Sequence, residues 1–431
     1  MLRIQERLAK SFYVLISLPA TAMGFALSIQ ISALSWLLTT KYNLHIDEVG
    51  FVWAAGPLAG IFGQVIIGLI SDKVWFWGGR RRPFVLIGGV LAAGMLIALP
   101  NIDMITAQLG VKSLLAVAIV VALTLDLAIN ISFNPTRSII ADVTPEGNPR
   151  TKGYTWMQTI SGFFGVLAYL VGATLGNYIL IYFGVVLVFL FSFVPMFFIT
   201  ENKELQVSVD AETKKNAATF TEWGQLFRIY FAHGFSWIGI QTMFVYIIAF
   251  IQQKYFHGLV DQSVINAHSG QIIAIAFAVL NTVGFILPAF VLEPFVEKIG
   301  RVKTHLACVA IMSLGYFGIV VFGTTPLMLY ILMAVAGIGW AAVVSLPFAI
   351  MTEKIDQSRT GFFMGIFNLS VVLPQLLVSL IVGTIIKNAE DKNIIFIISG
   401  ISLALSAIFW TLVKEKRIAG SVGINIPGSV H

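Results

Sequence analysis

Cysteine occurs once in the 431 residues, at Cys308, and charge is nearly as scarce: Lys, Arg, Asp and Glu supply 11% of the chain against 58% hydrophobic residues. A single cysteine excludes an intrachain disulfide and a cysteine metal cluster. So few charges cannot cover the surface of a soluble protein of this length, so most of the outer surface must meet lipid. A glycine-rich phosphate loop with its lysine is absent from the sequence, which removes support for nucleotide-driven pumping. A nucleophile–histidine–acid set and a two-histidine metal motif are also missing, which argues against a membrane-embedded hydrolase and leaves no cofactor to expect.

What the chain has in abundance is apolar segments of about 20 residues, the length that crosses a bilayer. They fall at approximately 12–38, 48–70, 83–102, 112–139, 152–175, 177–200, 223–252, 267–292, 303–322, 326–351, 360–386 and 393–413, a pattern that predicts an all-α integral membrane protein of twelve transmembrane helices. The long seventh segment leaves room for a break. The N-terminal basic residues and apolar run read as an uncleaved first span, because the run is too long for a signal peptide.

Lysine and arginine predict the orientation. Arg3, Arg7, Lys10, Lys73, Arg80 to Arg82, Arg150, Lys152, Lys203, Lys214, Lys215, Lys298, Arg301, Lys303, Lys354, Arg359, Lys414, Lys416 and Arg417 all fall on one set of loops and termini. The opposite loops hold Lys41, Lys112, Lys254, Lys387 and Lys392. The positive-inside rule then places both termini in the cytoplasm of a multi-pass cell-membrane protein, and short loops lean toward a bacterial inner membrane. The net charge of +6 reflects topology rather than nucleic-acid binding.

The least apolar stretch, Glu201 to Thr219, divides six spans from six. The expected organisation is an N-terminal half at 1–200, a cytoplasmic linker at 201–222, a C-terminal half at 223–414 and a tail at 415–431. The turns repeat between the halves. Ser71-Asp72 and Gly79-Arg80-Arg81-Arg82-Pro83 after the second span echo Glu293, Glu297, Gly300 and Arg301 after the eighth. Pro135, Asp142 and Arg150-Thr151 after the fourth echo Pro347, Glu353 and Arg359-Thr360 after the tenth. Two turn pairs in the same order argue for a duplicated six-span unit, giving two pseudo-symmetric halves. Asp72, Arg80, Arg81, Arg82, Asp142, Arg150, Glu293, Arg301, Glu353 and Arg359 are the candidate cytoplasmic gate, bridging helix ends that part when the halves rock.

Asp126 is the most informative residue. It lies inside an apolar span with Asn130, Asn134 and Arg137 within an arc of roughly 80° on one helical face. An ionisable group at mid-membrane depth costs roughly 2.5–3.5 kcal/mol and so faces a protein interior or water cavity. Asp126 and Arg137 are the proton-coupling candidates, separated by about 16 Å of helix, with Pro135 as a kink between them. Asn130 and Asn134, with Gln30, Gln158, Trp237, Gln241, Asn368 and Gln375, are the substrate-binding candidates, because amides satisfy hydroxyls and aromatic faces stack on sugar C–H surfaces. Trp156 and Trp340 are further aromatic members of the spans. His233 reads as structural or interfacial.

At these residues the chain resembles the major facilitator superfamily, and within it the sucrose/proton symporter group with its glycoside carrier relatives. The resemblance rests on Ala26 to Gln30, Trp53 to Gly60, Gly79 to Phe84, Asp126 with Asn130, Pro135, Arg137 and Asp142, Leu292-Glu293-Pro294 with Gly300-Arg301, and Met364-Gly365 with Asn368 and Pro374-Gln375. It implies a monomeric carrier that moves a neutral di- or oligosaccharide together with a proton by alternating access, with Asp126 as proton acceptor. Plant members carry an aspartate-rich segment near the end of the seventh span, where this chain reads Ile247-Ile248-Ala249 and then Gln253-Lys254. Sodium-linked glycoside uptake, efflux, and a non-transporting receptor or scaffold remain as alternatives.

Overall fold

In hydrocarbon every backbone polar group must be satisfied within the protein, and an apolar chain meets that demand by forming helices. The computed structural model describes residues 3–60, 70, 74–144, 148–201, 221–258, 261–287, 292–352, 354–355 and 360–415. Asp72, Glu353 and Arg359 lie outside the described residues, as do the side chains of Asn134, Arg150 and Glu293. Among the described residues ten helices are long and apolar enough to cross a membrane, and the shorter Ile394–Trp410 is a further apolar helix.

In chain order the spans are α1 (Lys10–Thr40), α2 (beginning with Ile46–Trp53), α3 (Arg82–Gln108), α4 (Leu114–Val143), α5 (Asn148–Leu175) and α6 (Asn177–Phe198). The second set is α7 (Trp223–Tyr255), α8 (Gln262–Leu287), α9 (Arg301–Phe322), α10 (Pro326–Thr352), α11 (Thr360–Leu377 continuing to Asn388) and α12 (Ile394–Trp410). The second of the expected spans is described only in its first part.

The helix pairings repeat. In the first set α1 packs on α5 and α6, and α3 packs on α4 and α6; in the second, α7 packs on α11 and α12, and α9 packs on α10 and α12. Between the sets, α5 lies against α8 and α2 against α11. The two sixes are thus built alike and joined through equivalent helices, as the repeated turns led one to expect. Small residues set the close approaches: a side chain at Gly88 of α3 would collide with Ser132 of α4, whose hydroxyl instead donates to the Phe84 carbonyl at 3.2 Å.

Two local features differ from the sequence expectation. The 33-residue α7 runs unbroken, because it contains no proline and its small residues seat it on α12, where the Ser236 and Ser406 hydroxyls meet at 2.7 Å. The interruptions come instead as π turns, Gln30–Leu34 in α1 and Val378–Val382 in α11. One extra residue in such a turn loosens the backbone ladder and rotates the helix beyond it. α4 passes through Pro135 as one helix.

Both ends of the sixes sit on one face of the bundle, here called the terminal face. The Gln5 amide donates to the Thr200 carbonyl at 2.8 Å and accepts from the Thr200 N–H at 3.1 Å. Next to it the Glu201 carboxylate accepts the backbone N–H groups of Arg80, Arg81 and Arg82 at 2.9, 3.0 and 2.7 Å, capping α3. Glu415, in the same position after α12, accepts from the N–H of Arg301 at 2.7 Å and caps α9. Each carboxylate meets a helix N-terminus where free N–H groups and the helix dipole favour negative charge. Gly79 and Gly300 precede the capped helices, and a side chain at either would collide with the carboxylate.

Removing one of these caps leaves buried donors without acceptors. Glu201→Ala and Glu415→Ala are each expected to lower stability by about 1–3 kcal/mol, read as a lower unfolding midpoint of the purified chain in detergent.

Candidate functional site

α1 and α4 place the charged centre. The Gln30 side chain, 3% exposed at the start of the π turn in α1, donates through Nε2 to Asp126 Oδ2 at 3.0 Å; Asp126, on α4, is 5% exposed. Gly56, following Ile46–Trp53 of α2, faces the same carboxylate: a Cβ there would sit 3.3 Å from Oδ2. Among the described residues no cation pairs with Asp126, and Gln30 is the side chain that hydrogen-bonds it. An ionisable group at this depth needs protein partners, and the Gln30 amide is the one the described residues supply.

The rest of the α4 stripe behaves differently. Asn130 donates to the Asp126 backbone carbonyl one turn back, at 2.8 Å. Arg137 is exposed, and its guanidinium carbon lies 4.2 Å from the centre of the Phe133 ring. The structure therefore keeps Asp126 and Arg137 apart along one continuous helix.

The second set contributes rings and amides. Trp237 and Trp340 meet edge to face with centroids 6.1 Å apart, and Phe244 packs against Trp340 at 5.4 Å and Phe277 at 5.4 Å. Trp340 Nε1 donates to Asn281 Oδ1 at 3.2 Å, while Trp237 Nε1 donates to His233 Nε2 at 3.0 Å. His233 is stacked on Phe367 with centroids 4.8 Å apart, so it holds Trp237 in place. Gln375 of α11 donates to Gln241 of α7 at 3.2 Å. Tyr169 of α5 reaches Ser28 of α1 and Asn281 of α8, and its ring lies 6.1 Å from Phe277.

Of the sequence candidates, the structure brings together Gln30 with Asp126, Gln241 with Gln375, and Trp237 with Trp340. Gln158 is exposed and Asn368 half-buried, and neither joins these bonded groups among the described residues. Tyr169, Asn281, Phe244 and Gly56 were not singled out by sequence. Asn281 carried the signal used for the others, an amide inside an apolar span; the remaining three show their place only through packing.

On the terminal face Arg80 binds Asp142 through two bonds, Nη2–Oδ1 at 2.7 Å and Nε–Oδ2 at 3.2 Å, and Arg81 Nε lies 3.4 Å from Asp142 Oδ2. The turns after α2 and α4 are thus tied to each other. On the opposite face the two sixes are closed against one another. Lys387 Nζ at the end of α11 meets Asp47 Oδ2 at the start of α2 at 2.9 Å, and Trp36 Nε1 donates to the Asn266 carbonyl at 2.5 Å, while within the second six the Tyr246 hydroxyl donates to the Val378 carbonyl at 3.1 Å. Gly50 is pressed between the Tyr246 hydroxyl and the Ser379 carbonyl, where a side chain would not fit.

A bundle of paired six-helix units, with an uncompensated carboxylate beside an aromatic and amide lining and ion pairs at its two faces, has the build of a membrane carrier. The family model for the Major Facilitator Superfamily matches residues 16–373 and 263–424, and the chain belongs to that superfamily, whose members are transporters rather than enzymes. It is 23% identical over 445 residues to a sucrose transport protein of Arabidopsis thaliana, covering 87% of this chain and 84% of that one. It is 29% identical over 174 residues to a general alpha-glucoside permease of Schizosaccharomyces pombe, covering 36% of this chain and 31% of that one. In fold it is similar to a crystal structure of a nucleoside transporter, with a TM-score of 0.71 at 14% identity, covering 94% of this chain and all of that one.

The closed face has a pH signature. Burial alone would raise the Asp47 carboxyl, but the bond and charge of Lys387 and the N–H groups of Asp47 and Glu48 together hold it below the ordinary carboxylate range. A carboxyl lowered in the closed form stabilises that form above the ordinary range and ceases to as pH falls through the lowered value. Lys387→Gln is therefore expected to weaken the closed face at neutral pH, in the direction in which falling pH weakens it in the wild type. The check is faster thiol labelling of Ser379→Cys in a Cys308→Ser background.

Proposed function

We propose that this chain is a secondary active symporter that carries a neutral sugar, of di- or oligosaccharide size, together with a proton by alternating access. The observation that carries the reading is the Asp126 carboxylate, buried and bonded by a neutral amide. Its charge is unfavourable in a closed core and its acid form is not, so protonation favours the transitions in which the core is sealed. The ring-and-amide lining of the second set, with Trp237, Trp340, Gln241 and Gln375, suits a hydroxyl-rich ligand with apolar C–H faces. The relatives named for sucrose and alpha-glucosides support the same substrate class.

In the proposed orientation the terminal face is cytoplasmic, following the lysine and arginine bias, and residues 201–222 connect the two six-helix halves in sequence. The closed face is then extracellular, and the Arg80–Asp142 and Arg81–Asp142 pairs belong to the cytoplasmic gate. A sugar and a proton taken up from outside would both be delivered through the cytoplasmic side of the state described here.

Asp126→Asn is expected to retain sugar counterflow while abolishing uphill accumulation, because exchange needs no net proton movement. Trp340→Ala is expected to raise the half-saturating sugar concentration by about tenfold, roughly 1.4 kcal/mol, from loss of one aromatic face. Sugar-induced proton uptake in vesicles should proceed without sodium; a strict sodium requirement would reject the proton assignment, and unchanged accumulation in Asp126→Asn would reject Asp126 as its carrier.

A further inference from the structure

A crevice of about 500 Å³ opens on the face opposite the termini, at the seam where α1, α5 and α6 of the first set meet α8 of the second. It lies away from Asp126 and from the Trp237–Trp340 pair. Its wall is polar and aromatic: Trp36 and Thr40 of α1, Asn177 and Tyr178 of α6, and Asn266 and Gln271 of α8 all contribute. The Trp36 and Tyr178 rings meet edge to face at 5.5 Å, leaving aromatic surface beside the amides. The volume falls within the roughly 300–1,000 Å³ range of small-molecule sites.

Asn177 is the member that asks for an explanation. It is 3% exposed, and neither its side-chain oxygen nor its nitrogen has a hydrogen-bond partner among the described residues. A buried amide left this way is destabilising unless something else satisfies it. It is seated between two glycines that also line the crevice: a Cβ at Gly172 would lie 3.2 Å from its Oδ1, and one at Gly270 would lie 2.6 Å from its Nδ2 and 2.8 Å from the Trp36 Nε1. Missing side chains on both flanking helices give this amide its seat beside the cavity.

The charge of the wall decides what the cavity would take. Lys41 lines it, but its ammonium is already bound to the Pro100 carbonyl and to Asp103. His268 also lines it, with Nδ1 held to the Val264 carbonyl at 2.9 Å. With the Lys41 ammonium and the His268 Nδ1 engaged elsewhere, what remains is amide, hydroxyl and ring, a lining that fits a neutral polyhydroxylated ligand better than an anion.

We infer that this crevice is a second saccharide site, on the outer face in the proposed orientation, where sugar is bound before it enters the central site. A modest turn of the Asn177 side chain presents its amide to sugar hydroxyls, Gln271 supplies a second amide from the opposite half, and Trp36 and Tyr178 offer apolar faces. Because its wall comes from both six-helix units, occupancy depends on how the halves are closed. The inference rests on the reading of the substrate as a saccharide.

The test is equilibrium binding of radiolabelled sucrose and maltose to the purified full chain, alongside transport of the same sugars in vesicles. The expected result is two sites per chain in the wild type, one of them weakened about tenfold in Trp340→Ala while the other keeps its affinity, and that other one being lost when Asn177→Leu is added. Gln271→Ala, at an exposed position, serves if Asn177→Leu does not fold, and is expected to weaken the Trp340-independent site at least fivefold. Transport with a single binding site per chain, weakened in Trp340→Ala, would overturn the second site and leave the carrier reading standing. Should neither sugar be transported nor bound, both readings fall.

Discussion

A carboxylate in the interior of a hydrocarbon-embedded bundle constrains everything packed around it. Asp126 cannot face lipid, so α4 must turn its polar stripe inward, and the helices that meet that stripe must offer it either a donor or space. The structure supplies one of each: Gln30 from α1 donates, and Gly56 beyond the start of α2 gives room. The π turn that begins at Gln30 belongs to the same solution, since it breaks the regular ladder of α1 where the amide is required. In the proposed cycle this carboxylate is the group whose charge opposes closure, and its neutral partner leaves a proton as the means of removing that opposition.

The division of labour between the halves follows from the same constraint. The first six helices hold the buried acid and the tied turns around Arg80 and Asp142; the second six hold the rings and the Gln241–Gln375 pair. Tyr169 stands where these meet, reaching Ser28 near Gln30 on one side and Asn281 on the other, and Asn281 in turn accepts from Trp340. A ligand that moves Trp340 therefore acts on a hydrogen-bonded line that leads back to the helix carrying the acid's partner. Coupling in the proposed carrier needs such a line, because Asp126 and the Trp237–Trp340 pair sit on different six-helix sets.

The helices were legible in the sequence because a bilayer imposes a length and a composition on each span, and both are properties of a single segment. The twofold organisation was legible for a related reason: repeated turns such as Gly79-Arg80 and Gly300-Arg301 are local. What stayed hidden depends on how separate segments are rotated and seated. Gln30 was recognisable as a polar residue in a span, but its bond to Asp126, 96 residues away, was not. Glu201 and Glu415 looked like the start of a linker and of a tail, and only the fold shows each folded back on the N-terminus of a helix more than a hundred residues earlier in the chain. The unbroken α7 and the π turns in α1 and α11 show the limit from the other direction. Without proline, helix continuity is decided by packing rather than by any residue that could be read in advance.

The two faces of the molecule are held by different chemistry, and that difference bears on how such a bundle can move. On the terminal face the described ion pairs and caps lie within each six-helix unit: Arg80 with Asp142, Glu201 on α3, Glu222 with Lys354, Glu415 on α9. They stiffen the units without joining them. On the opposite face Asp47–Lys387, Tyr246 on the Val378 carbonyl, and Trp36 on the Asn266 carbonyl all run from one helix to another around the central seam, and the first and last of these cross it. Of these contacts the Asp47–Lys387 pair is the most exposed, whereas Tyr246 and Trp36 are buried among apolar side chains that both sets contribute to one core; in the proposed alternating-access cycle this face would be the one that parts to admit sugar. In that proposed cycle the buried acid, bonded to Gln30 rather than to any of these contacts, would respond to the movement without being one of the bonds that break.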